Sequence, residues 1–91
     1  MRVTRSAALQ QLFVALFSAE ELRRFLDDHT GRDVTAALPS MTSLLNLAYE
    51  AVGVLERRGE VRPELFAALR AERPGRSAEI DPVEQQWRTT R

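Results

Sequence analysis

The residues of this chain best suited to chemistry are few, and they stand together once, as Asp27-Asp28-His29. His29 is the only histidine. As a general base it needs a nucleophile and an orienting carboxylate within reach, and no serine lies in a G-x-S-x-G elbow that would expose it as a nucleophile. The triplet is also a weak metal site. Adjacent helical side chains point in different directions, so the three do not close on one ion without a second segment. A histidine near a helix C-terminus gains instead from the dipole when it is partly protonated. The glycines, at 31, 53, 59 and 75, are too scattered to cradle a phosphate. With no cysteine there is neither a disulfide nor a thiolate metal site. The expectation is a non-enzyme with no catalytic, cofactor-binding or metal-ligating residue.

Charge narrows the remaining classes. Thirteen basic and thirteen acidic residues cancel, so no net field draws the chain to nucleic acid or to an anionic membrane. Every basic residue is arginine. A GC-rich coding bias accounts for that, and so does use of the guanidinium fork in paired contacts with carboxylates. The arginines are spread along the chain and flanked by acids, as in Glu56-Arg57-Arg58 and Arg70-Ala71-Glu72-Arg73. A DNA-recognition helix needs a locally unopposed basic face, so a nucleic-acid-binding regulator is the second choice and a protein-interaction module the first.

The elements that would position such a surface are helices. At 91 residues and 44% apolar composition the chain has room for one core. No run reaches the roughly 18 apolar residues of a membrane span, and Arg2, Arg5, Gln10 and Gln11 do not make a secretory signal. The reading is a cytoplasmic protein with one helical domain over 1–87 and a fraying polar tail over 88–91.

Leu9, Leu12, Phe13, Leu16 and Phe17 form one helical stripe in a first helix from about Thr4. Ser18 opens the second, with Glu21 at the capping-box position and Phe17 and Leu22 at the staple positions. Leu22, Phe25 and Leu26 point inward, and Gly31 ends the helix. A weak helix or turn follows over Asp33–Leu38, stopped by Pro39. Ser40 is expected to cap the longest helix, which runs to Arg58 before Gly59 as the left-handed residue. Leu44, Leu47, Ala48, Ala51, Val52 and Leu55 line one side of it, with Leu45, Tyr49 and Val54 elsewhere. A helix apolar on most sides belongs at the centre of a bundle, and Gly53 within it suggests a neighbour close by, such as Phe66 or Phe25. Pro63 opens the next helix, with Leu65, Phe66 and Leu69 inward, and Pro74-Gly75 ends it. Asp81, Pro82 and Glu84 read as the start of a last helix anchored in the core by Ile80, Val83 and Trp87. The fold class is all-α, a compact bundle of about six short helices.

Several strings in this order resemble the bacterial effector-associated domains of the prokaryotic death-like group. They are Phe17-Ser18-Ala19-Glu20-Glu21-Leu22-Arg23-Arg24-Phe25-Leu26, Ala37-Leu38-Pro39, Leu55-Glu56-Arg57-Arg58-Gly59, and Glu64 through Pro74 with Glu79-Ile80. The resemblance spans about residues 9–82 and implies a death-fold-like bundle. It also implies an adaptor role in bacterial conflict systems, in which a module on an effector pairs with a like module on a sensor. Its implied partner is another such domain, with self-association possible and no nucleic acid or membrane.

Mixed charge on outward helix faces suits specific orientation more than raw affinity. The candidate contact residues are Arg23, Arg24, Asp27 and Asp28 on the second helix, Arg57 and Arg58 at the end of the long helix, and Glu64, Arg70 and Arg73 on the next. Reversing the charges of Arg23 and Arg24 together is expected to abolish partner capture in a pull-down and to leave the thermal midpoint nearly unchanged.

Overall fold

The Thr4 hydroxyl accepts the Ala7 N–H at 3.1 Å and caps α1, Arg5–Leu16. The computed structural model describes residues 4–39 and 41–89. Five more α-helices follow among these residues: α2 Ala19–Thr30, α3 Arg32–Ala36, α4 Leu44–Arg57, α5 Pro63–Glu72 and α6 Ser77–Thr89. A 3-10 turn over Pro74–Arg76 joins the last two. No strand occurs among the described residues, so the protein is an all-α bundle of six helices.

The predicted apolar stripes are the core. Leu9, Phe13, Leu22, Leu26, Leu47, Leu55, Leu65, Leu69 and Ile80 have no exposed surface, and Phe66 has almost none. α1 lies against α4 on one side and α6 on the other, α2 and α3 cover the near part of α4, and α5 pairs with α6. The Cα radius of gyration is 12.1 Å, matching the roughly 12 Å expected of one compact unit of this length.

Local signals explain most helix ends. At α2 both halves of the capping box form: Ser18 Oγ accepts the Glu21 N–H at 3.3 Å, and the Glu21 carboxylate accepts the Ser18 N–H at 2.9 Å. α4 ends in a Schellman motif, with Gly59 at φ +67° and bonds from Gly59 N to Glu56 O and from Glu60 N to Leu55 O. Gly31, at φ +95°, closes α2 as expected.

Three expectations need correction. The cap of α4 is Ser43, whose hydroxyl accepts the Asn46 N–H at 3.2 Å, and Ser40 lies outside the described residues. Thr42 and Ser43 make good caps one turn later, and Asn46 Nδ2 reinforces them by donating to Thr42 Oγ1 at 2.7 Å. The last helix does not start at Asp81. It begins at Ser77, straight from the 3-10 turn, and Pro82 lies inside it. Proline there removes a backbone donor and crowds the carbonyl four residues back. Burial of Ile80 and the grip of Arg70 on Asp81 and Glu84 offset that cost. Finally, α4 is not enclosed. Val54 is buried, but Leu45 and Tyr49 stand in solvent, and a Cβ on Gly53 would meet nothing nearer than Arg57 Nη1 at 3.4 Å. Neither Phe66 nor Phe25 comes within 4 Å of that position, and the glycine costs α4 about 1 kcal/mol relative to alanine.

The helix runs on through Arg88 to Thr89, and the rest of the expected tail lies outside the described residues. Trp87 is half-buried against the core, as its face with Ile80 and Val83 suggested. Its indole N–H donates to Arg5 O at 3.1 Å, and the Arg5 guanidinium lies 4.3 Å from the ring centroid. The end of α6 is thereby tied to the start of α1.

Replacing Ser18 with alanine removes the hydroxyl that accepts the Glu21 N–H and leaves only the backbone half of the capping box. Circular dichroism melts should show a loss of about 1 kcal/mol, equivalent to a midpoint lower by roughly 4–8 °C in a domain this size, with Ser18→Asp recovering most of it.

Candidate functional site

The nine charged candidates do not form one patch, because several arginines work inside the fold. Arg73, at the end of α5, reaches the corner between α1 and α2. Its Nε donates to Leu16 O at 2.9 Å, its Nη2 pairs with Glu21 Oε2 at 3.1 Å, and its guanidinium lies 4.8 Å from the Phe17 ring centroid. Arg76 follows from the 3-10 turn, donating to Ala15 O at 3.4 Å while paired with Glu79. Two guanidinium groups from late in the chain therefore complete the last carbonyls of α1, where the dipole also favours positive charge.

Arg70 is likewise committed, bridging Asp81 at 2.6 Å and Glu84 on α6. These two carboxylates, Asp81 first, raise its already high pKa. Arg23 is half-buried and donates to Pro39 O, fixing the chain between α3 and α4. Arg58 pairs with Glu60 at 2.7 Å beside the α4 C-terminus, and Asp27 accepts a hydrogen bond from Thr35 on α3. Of the nine, Arg24, Asp28, Arg57 and Glu64 are exposed with no ion-pair partner among the described residues. Charge reversal at Arg23 breaks an internal tie, so Arg24→Glu alone isolates the outer face of α2.

Two outward surfaces result. On α2, Arg24 and Asp28 border a shallow recess of about 140 Å³ floored by Phe17 and Phe25, with Glu21, Glu72 and Arg73 on its rim. Phe17 and Phe25 stack at 5.2 Å, and His29 extends the stack onto Phe25 at 5.7 Å. Among the described residues no cluster of three His, Cys, Asp or Glu is placed to hold a metal ion.

The second surface belongs to α4 and was not anticipated. Met41, Leu45 and Tyr49 are 94%, 58% and 63% exposed. Beside them, α1 and α4 enclose an open groove of about 510 Å³, lined by Ala7 and Gln10 on one wall and Tyr49, Glu50, Gly53 and Arg57 on the other. Ser6 closes one end by donating to the Glu56 carboxylate at 3.0 Å, and Gln10 donates to Leu45 O at 3.4 Å. The signal was present in the sequence, since Leu45 and Tyr49 fall off the buried stripe of α4. A one-dimensional pattern does not distinguish a helix buried all round from one with an apolar row in water.

No helix among the described residues is long and apolar enough to cross a membrane. Comparison with protein families, with curated proteins and with solved structures gives no match.

The Arg73 corner has a pH signature. The Ser18 backbone N–H, the Ser18 hydroxyl and Arg73 hold the Glu21 carboxyl below its ordinary value of 4.5. A carboxyl depressed in the folded state stabilises above its unfolded pKa, and the contribution disappears as pH falls through the folded value. Arg73→Met should cost about 2 kcal/mol at neutral pH. In urea melts the variant should also lose less stability than the parent on acidification below about 4.5.

Proposed function

We propose that the chain is an adaptor module that pairs like with like, recruiting an effector to a sensor in a bacterial conflict system within the cytoplasm. The resemblance to effector-associated domains supplies the biological setting, and the death-fold-like arrangement it implies accords with a bundle of six helices. The observation that carries the reading is the pair Leu45 and Tyr49, left in water one turn apart on α4, with Met41 exposed in the segment before it. A domain this small has few large apolar side chains to spare from its core. A grouped exposed set marks a contact surface, whereas single exposed residues carry no such meaning.

The chemistry of these side chains favours a protein partner. Tyrosine and methionine are enriched in the centres of protein interfaces, and the charges nearby are mixed in sign, with Glu50 and Arg57 lining the same groove as Tyr49. Nucleic acid is the poorer fit. Arg70, Arg73 and Arg76 are each paired with carboxylates, which takes three of the arginines away from any phosphate-binding face. The reading assigns no catalytic residue and no cofactor, so function lies in which surface meets which.

The decisive experiment co-expresses the chain with the product of a neighbouring gene that carries a similar helical module, and measures their association. Binding is expected for the parent. Leu45→Glu, at an exposed position, should weaken it at least about tenfold, equivalent to 1.4 kcal/mol, and leave the thermal midpoint within about 2 °C, as surface changes usually do. Undiminished binding by Leu45→Glu, or no binding by the parent, overturns the proposal.

A further inference from the structure

α4 carries a glycine for which its own fold has no use. Gly53 lies mid-helix with no positive φ, and the sole atom within 4 Å of a Cβ placed there is Arg57 Nη1, the free end of a flexible side chain. No atom of another described helix comes within 4 Å of that position, so the lost helix propensity has no packing compensation among the described residues. The outward face around Gly53 also carries unpaired groups. Tyr49 precedes it by one turn and Leu45 by two, both in solvent. Glu50 and Arg57 flank it, and neither has an ion-pair partner among the described residues.

We propose that this face binds a second copy of the chain, with the two α4 helices antiparallel and crossing at Gly53. The charges select both the occupant and the direction. Glu50 stands about one turn before the crossing point and Arg57 about one turn after it, too far apart along one helix, at about 10 Å, to pair with each other. Reversing the second helix sets Glu50 of each copy beside Arg57 of the other, giving two ion pairs related by a two-fold axis. A parallel arrangement would oppose Glu50 to Glu50 and Arg57 to Arg57. A surface complementary to itself under a two-fold rotation is the requirement for a closed dimer. Helix separation depends on the side chains at the crossing, and glycine at that point permits the closest approach. Leu45 and Tyr49 then leave water against the partner helix, and the groove between α1 and α4 receives partner side chains.

This pairing names the partner of the like-with-like reading and rests on it, yet it is measured separately, by sedimentation equilibrium of the chain alone over micromolar to millimolar concentration. The parent is expected to dimerise, more weakly as salt rises. Glu50→Arg and Arg57→Glu should each weaken the dimer about tenfold or more, as close charge pairs do in double-mutant cycles. The double variant E50R/R57E should restore it, because the swapped charges again meet across the two-fold. Gly53→Leu should block the crossing while the thermal midpoint of the monomer holds or rises, which separates loss of contact from loss of fold. A parent that stays monomeric throughout overturns the pairing, as does a double variant no better than the single ones or an intact dimer in Gly53→Leu. A monomeric parent that still captures its neighbour-encoded partner removes the two-fold and leaves the adaptor reading. A dimer that captures no such partner supports the two-fold and removes the adaptor reading.

Discussion

The fold depends on how one sharp corner is closed. Between Leu16 and Ala19 the chain leaves one helix and enters the next within two residues, Phe17 and Ser18, both in extended conformation. That brings together two sets of groups with no helical partner: the last carbonyls of α1 and the first N–H groups of α2. Ser18 and Glu21 satisfy the second set locally. The first set waits for Arg73 and Arg76, 57 and 61 residues from the carbonyls they meet. Arg73 also shields the Phe17 ring and pairs with Glu21, so one guanidinium binds the ends of α1, α2 and α5 together.

This arrangement takes several of the thirteen arginines out of the solvated surface. Arg23, Arg70, Arg73 and Arg76 are committed to carbonyls and carboxylates of the same molecule. Guanidinium suits that task because its planar fork meets two acceptors at once, as Arg70 does with Asp81 and Glu84. The buried interior is left purely apolar, and no buried side-chain polar atom among the described residues lacks a partner. The polar and charged groups therefore lie at the surface, where the exposed face of α4 and the α2 recess remain open.

The two surfaces differ in character. The α2 recess is small and ringed by charges of both signs over a pair of stacked phenylalanines. The α4 face is larger, carries exposed apolar side chains and borders a groove. Interface centres are apolar and rims polar, so under the proposed function the α4 face is the centre of the contact and the α2 recess a secondary one.

Local signals determined much of this protein in the sequence alone. The capping box at Ser18, the proline opening α5 and the glycine closing α4 act within four residues of themselves, so they are legible without a fold. The apolar stripes were equally readable, because a 3.6-residue period fixes which side chains share a face. What tertiary structure decided was every choice between equivalent local options. Asp81 and Pro82 offer a good helix start, but the bond from Arg70 and the burial of Ile80 carried the helix back to Ser77. Arg23, Arg70 and Arg73 look like solvated charges until partners 11 to 57 residues away are placed beside them. Leu45 and Tyr49 read as interior, and became surface because no described element packs over them. Periodicity says that a residue shares a face with its neighbours, whereas only the packing of distant segments says whether that face is covered.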